Sequence, residues 1–172
     1  MPTRGERMRL LAGLLAAPGE ESLAVLEALD GELRWLDQAR RELAEMALDE
    51  WRAEHARLFI NGFPCTPCLP FQSAHLDGLM PGPSTVAVNA LYRQLGLEIE
   101  DMFPDYLGAM LECAAYLADA SPPQEAENIL WRNHLLRWLP AYAETLQAES
   151  RLALYRGLGR ELAMLCRECS HG

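Results

Sequence analysis

Five prolines, Pro64, Pro67, Pro70, Pro81 and Pro83, fall between Gly62 and Pro83, and on either side of that stretch apolar residues recur at helical spacing. Proline lacks an amide hydrogen and disfavours helical backbone in the residue before it, so this segment reads as extended and turning chain. The flanks read otherwise. Leu48, Trp51, His55, Leu58 and Phe59 share one helical face, as do Leu107, Met110, Leu111 and Ala114, and again Leu152, Tyr155, Leu158, Leu162 and Leu165. No run of alternating β-branched and polar residues is long enough for a strand. The expected fold class is therefore all-α, a single-domain bundle over residues 1–172 with one long Pro-rich loop.

The spacing predicts helices near 3–17, 20–29, 32–46, 47–61, 84–95, 103–119, 122–138, 141–149 and 150–168. Asn61-Gly62 supplies a stop for the fourth of these, and Ser121-Pro122 followed by Gln124 supplies a cap, a first-turn proline and a capping-box partner for the seventh. A connection of about 20 residues without a helix is unusual in a compact domain and is characteristic of functional loops.

A chain of 172 residues buries enough core to need neither disulfide nor metal merely to fold. Its charge is −10, and all 15 of its basic side chains are arginine. That balance argues against diffuse binding to nucleic acid or to an anionic membrane surface and favours a cationic partner. No apolar stretch approaches the roughly 20 residues of a membrane span, so no stable membrane insertion is expected. Arg4, Arg7 and Arg9 precede Leu10, Leu11, Leu14 and Leu15. Gly13 and the lack of a small-residue cleavage site make this an amphipathic first helix rather than a signal peptide. Five cysteines without an export signal point to reduced thiols and a cytoplasmic protein.

Two constellations could carry function. Glu54 and Arg57 lie three apart on a helix, an ordinary surface ion pair when taken alone. Asp105, Gly108 and Glu112 fall at spacings of three and four, so on a helix beginning at residue 103 they share a face. Two acids flanking a glycine would seat a guanidinium and let a peptide backbone approach. As surface acids, both should be neutralised at little cost to folding. No hydroxyl or thiol stands in a recognisable nucleophile setting, and no enzymatic activity is expected.

Taken in order along the chain, four motifs carry a resemblance. They are Glu54-x-x-Arg57-Leu58-Phe59; Pro67-x-x-Pro70-Phe71-Gln72-Ser73; Pro104-Asp105-Tyr106-Leu107 with Glu112 and Tyr116-Leu117; and His134-Leu135 with Trp138-Leu139-Pro140. The set resembles the TorD/DmsD/NarJ family of redox-enzyme maturation chaperones, from about residue 8 to about residue 165. The resemblance implies a cytoplasmic chaperone, monomeric or homodimeric, for the catalytic subunit of a molybdenum oxidoreductase. It would bind the subunit's N-terminal leader, often a twin-arginine signal, and hold the apoprotein for cofactor insertion, with no cofactor of its own required. The leader-binding positions it implies are Glu54, Arg57, Phe59, Pro70, Phe71, Gln72, Ser73, Asp105, Tyr106, Gly108 and Glu112. Gln72 stands where the family carries an acid, Tyr106 where it carries histidine, and Met110 where a further acid is usual. Two negative charges and an imidazole are thereby removed from the expected groove.

Independently of the family, Cys65-x-x-Cys68 in the loop and Cys166-x-x-Cys169 near the C-terminus could supply four thiolates to a structural zinc if the fold brought loop and tail together. The alternative function that follows is a zinc- or thiol-dependent redox or regulatory protein. Against it, a redox Cys-x-x-Cys normally opens a helix beside a sheet, and no sheet is expected.

Overall fold

The computed structural model describes residues 1–29, 33–120 and 125–172. Among these, ten α-helices follow in chain order: α1 Arg4–Leu14, α2 Ser22–Ala28, α3 Asp37–Ala44, α4 Leu48–Phe59, α5 Gln72–Leu76, α6 Pro83–Gln94, α7 Leu107–Ala118, α8 Glu125–Asn133, α9 Leu139–Glu149 and α10 Ala153–Ser170. Short 3-10 turns at Arg34–Leu36 and Leu135–Arg137 lead into α3 and α9. The all-α expectation holds, and no described helix is long and apolar enough to cross a membrane.

Helix α1 lies along α7, and α10 along α9, and the predicted stripes are what these helices bury. Leu107, Met110, Leu111 and Ala114 are fully enclosed, as are Tyr155, Leu158, Leu162 and Leu165. Removing such side chains from water at about 25 cal/mol per Å² is the main drive for assembly. Helix α4 joins α10 through aromatic contacts. Trp51 Nε1 donates to Tyr155 Oη at 3.0 Å, and the Tyr155 ring meets Phe59 edge-on at 5.3 Å. His55 packs beside Phe59 and bonds through Nε2 to the Leu15 carbonyl at 2.8 Å.

Several boundaries differ from the sequence reading, and the helix expected over 3–17 ends at Leu14. The Pro-rich loop contains α5, which occupies part of the proline-free window 71–80 between Pro70 and Pro81. The helix expected from residue 103 begins at Leu107, because Tyr106 is extended, with φ −62° and ψ 130°, and pairs with Phe71 in an isolated antiparallel bridge. The helix expected over 122–138 ends at Asn133, and a tight turn and Pro140 at the start of α9 restart the chain. The Ser121–Gln124 cap and residue 32 lie outside the described residues, and the helix expected over 32–46 is α-helical only over Asp37–Ala44, after the 3-10 turn at Arg34–Leu36.

Glu54 and Arg57 are not a surface pair. Glu54 is 7% exposed, and its carboxylate accepts a forked pair from Arg57 Nε at 2.6 Å and Nη2 at 3.0 Å. Its Oε2 also accepts from the Arg151 amide at 2.6 Å, while Arg57 Nη2 reaches the Glu149 carbonyl at 2.6 Å. The motif therefore clamps α4 to the turn between α9 and α10. Glu54→Ala should lower unfolding stability by about 1–3 kcal/mol, since it orphans these donors. Thermal denaturation checks this, and an unchanged melting temperature would return the pair to the surface.

Candidate peptide-binding face

The site is built where the Pro-rich loop meets the entry to α7. Gln72 N donates to the Asp105 carbonyl at 3.1 Å and Leu107 N to the Pro70 carbonyl at 2.8 Å, which are the two bonds of the Phe71–Tyr106 bridge. Asp105 is fully buried and turns its carboxylate onto the start of α5, where Oδ2 accepts from Ser73 N at 2.7 Å. Asp105 is thus the acid that fixes the loop. Gln72 is also buried, and its side-chain amide bonds to His134 Nδ1 at 3.0 Å, which ties α5 to the end of α8. His75 of α5 stacks on Trp138 at 5.0 Å with its Nε2 on the Leu69 carbonyl, and Tyr142 donates to the Cys68 carbonyl at 2.9 Å.

This frame leaves an apolar lip outside. The Phe71 ring meets Phe103 at 6.0 Å and Tyr106 at 5.6 Å, and Phe103 and Met102 are 39% and 46% exposed. Glu98, Glu100 and Asp101 are exposed and lead directly into Met102. Asp101 takes the left-handed backbone, at φ 60°, that turns the chain into the lip. On the α7 side, Glu112 is exposed and close enough to Tyr106 to help burial hold its phenol protonated above the ordinary range. An aromatic surface edged by carboxylates is suited to a segment that carries both apolar side chains and arginine, through contact area, cation–π attraction and charge-assisted hydrogen bonds.

The expected positions therefore separate into two groups. Phe71, Tyr106 and Glu112 reach this face, whereas Glu54, Phe59, Pro70, Gln72, Ser73, Asp105 and Gly108 are enclosed and Arg57 is held in the clamp. Asp105 and Glu112 do not share a helix face, because Asp105 precedes α7 and points inward. Nor is Gly108 open to a peptide backbone. A Cβ there would stand 2.5 Å from the Tyr106 ring, so glycine is what lets that ring lie down on α7. Met102, Phe103, Glu98, Glu100 and Asp101 are additional to the expected positions, and the available signal was three acids among the four residues before an apolar pair.

The cysteines do not assemble. Cys68 is enclosed near Arg57 and Glu149, while Cys166 and Cys169 belong to α10, Cys169 facing Arg4, Arg7 and Glu127. Among the described residues no group of three or more His, Cys, Asp or Glu is placed to hold an ion, so the structure does not bring together Cys65, Cys68, Cys166 and Cys169, the expected zinc ligands. Burial pushes the thiols of Cys68 and Cys166 up to about 12 and that of Cys169 to about 11, the opposite of the lowered value a redox thiolate needs.

Known proteins bear on this arrangement. A family model for the nitrate reductase delta subunit matches residues 22–144. The chain belongs to that family, the NarJ/TorD family of redox-enzyme maturation chaperones. It is 32% identical over 110 residues to the Tat proofreading chaperone DmsD of Salmonella typhi, covering 60% of this chain and 52% of the relative. It is also 27% identical over 106 residues to the chaperone protein YcdY of Escherichia coli, covering 60% of this chain and 54% of that one. The matched stretch thus spans about half the length of these relatives. The fold superposes with a TM-score of 0.70 on a structure from Archaeoglobus fulgidus described as a redox enzyme maturation protein, covering 97% of this chain and 95% of the other at 20% identity. The matched residues 22–144 include both strands of the bridge, Asp105 and the aromatic lip.

Asp105→Ala should cost about 1–3 kcal/mol of stability by orphaning the Ser73 amide, and Glu112→Gln should stay within about 0.5 kcal/mol. Equal stability of the two variants would contradict the buried role of Asp105. His134 has its pKa lowered from 6.5, first by burial and then by Arg137, and burial lowers that of His55 against the opposing bond to Leu15. A lowered base means that the unfolded chain binds protons first. Stability is full above about pH 6.5 and declines as pH falls below it. Melting temperatures between pH 7 and 5 should show this decline, and it should be shallower in His134→Asn.

Proposed function

We propose that this protein is a non-enzymatic cytoplasmic chaperone that binds the basic N-terminal leader of a molybdenum oxidoreductase catalytic subunit and holds the apoprotein for cofactor insertion and assembly. The observation that carries the reading is the lip formed by exposed Phe103 with half-buried Phe71 and Tyr106, edged by Glu98, Glu100, Asp101 and Glu112, at the junction of two of the four motifs that resemble the family. Membership in the family and similarity to a Tat proofreading chaperone support it. The net charge of −10 suits a basic partner.

In this reading the leader lies across the lip, its apolar side chains against the three rings and its arginines toward the carboxylates. Phe71 and Tyr106 are held by the bridge before any peptide arrives, so little ordering entropy is lost on their side. The buried acid, Asp105, acts through that bridge and does not touch the leader.

Titration calorimetry with leader peptides of molybdenum oxidoreductases should give dissociation constants at or below about 1 μM, roughly −8 kcal/mol. The affinity should weaken as salt rises, because exposed charges contribute to it. Phe103→Ala combined with Glu112→Gln should weaken binding about tenfold or more with an unchanged helical spectrum. Absence of heat with every such leader would refute the proposal, and equal affinity of the double variant would move the leader off this face.

A further inference from the structure

Between Arg57 and Arg93 the only carboxylate or guanidinium is Asp77, and that acid is engaged within the fold, its two oxygens accepting from the amide and the hydroxyl of Ser84 at 2.8 Å each. Within this nearly uncharged stretch lies α6. The helix buries Val88, Leu91 and Tyr92 against the rest of the protein. Its opposite side is exposed and is also apolar. Pro83, Val86, Ala87 and Ala90 fall there at i, i+3, i+4 and i+7, with Val86 71% exposed. Leu79 and Met80, on the turn before the helix, are 56% and 40% exposed. A surface helix normally turns charge outward, so one that is apolar on both sides has a face that lacks its partner.

Exposed apolar residues on α7, α8 and α10 instead stand beside charge. Tyr116 has Glu112 and Asp119 three or four positions away, Ile129 has Glu125 and Arg132, and Met164 has Glu161 and Glu168. At those positions around Val86 stand Gly82, Pro83, Asn89 and Ala90. That neutrality selects the occupant. A basic leader finds no acid here to receive its arginines. A chain of net charge −10 repels its own copies, so two copies can meet only where contact sets no carboxylates against each other. In a two-fold contact each stripe meets a copy of itself, which an uncharged apolar face tolerates and an acidic one does not. The short side chains of Ala87 and Ala90 let two helix axes approach to about 8–10 Å.

We propose that α6 is a self-association surface, on which the outer stripe of Pro83, Val86, Ala87 and Ala90 packs against the same stripe of a second copy of this chain, with Leu79 and Met80 covering its N-terminal end. This pairing does not depend on leader binding. A 12-residue helix is about 18 Å long, and one stripe of short side chains on it falls below the roughly 1,200–2,000 Å² of a standard interface. The dimer is therefore weak and reversible. Its salt dependence has the opposite sign from that of leader binding. Screening the −10 charge of each copy strengthens the dimer, whereas it weakens attraction between acids and arginines.

Analytical ultracentrifugation of the full chain, from micromolar to millimolar concentration at low and at high salt, tests this. The unmodified protein should pass from monomer to dimer as concentration rises, and the dimer should be tighter at high salt. Val86→Glu should weaken it about tenfold or more, because symmetry sets two new carboxylates in one contact. Position 86 is exposed and lies near the start of α6, where an acid suits the helix dipole, so the variant should keep an unchanged helical spectrum. Ala90→Glu, also at an exposed position, should weaken the dimer in the same direction. Met164→Glu adds the same charge to α10 and should leave the dimer nearly unaltered, which separates the face from the net charge. Monomer under every condition would overturn the proposal and return the face to a partner other than this chain. A dimer indifferent to both α6 variants, or one weakened equally by Met164→Glu, would overturn it as well.

Discussion

The pairing of Phe71 with Tyr106 is the contact on which the candidate peptide-binding face depends. Two backbone hydrogen bonds, Gln72 N to the Asp105 carbonyl and Leu107 N to the Pro70 carbonyl, hold a proline-rich loop against the entry of a helix. A loop with five prolines has few amides to offer a ladder, so side chains complete the attachment. Asp105 caps the start of α5, Gln72 reaches His134, and Tyr142 holds the Cys68 carbonyl. Once these are made, the Phe71 and Tyr106 rings have fixed places, and the turn at Asp101 brings Phe103 beside them.

The carboxylates divide by depth into two kinds of work. Asp105 and Glu54 are buried, Asp105 accepting the Ser73 amide on one oxygen and Glu54 the Arg151 amide and a forked arginine, so both carboxylates serve the fold. Glu98, Glu100, Asp101 and Glu112 are exposed, and the field they create is available to a partner. Several arginines are already committed. Arg4 pairs with Glu127, Arg7 with Glu168 and Arg9 with Asp119, fastening α1 to α8, α10 and the end of α7. The N-terminal segment whose basic and apolar order mimics a leader is in fact an integral helix, with Met8, Leu11 and Ala12 buried.

Helix existence and core faces were legible because they depend on local periodicity. The stripes of α4, α7 and α10 read from the sequence are the buried faces observed, including His55. The family was legible from the order of its motifs and is shown by the match over residues 22–144. What could not be read was any feature set by pairing between distant segments. Pro104-Asp105 has the form of a helix start, and only the partner strand at Phe71 shows why Tyr106 is extended and Asp105 points inward. Similarly, Glu54 and Arg57 have the spacing of a routine surface pair, and only the turn between α9 and α10 buries them. The two Cys-x-x-Cys pairs show the converse, a pattern suited to zinc that the fold leaves divided between the loop beside α9 and the end of α10.

The central claim, that a basic leader lies on the lip built by the Phe71–Tyr106 bridge, is tested most directly by amide chemical-shift mapping. A labelled sample is titrated with a leader peptide, and perturbed amides are placed on the structure. The account predicts saturable shifts concentrated at Phe71, Glu100–Tyr106 and the exposed side of α7 around Glu112. Shifts confined to surfaces remote from these residues, with the bridge amides of Gln72 and Leu107 unmoved at saturation, would contradict it.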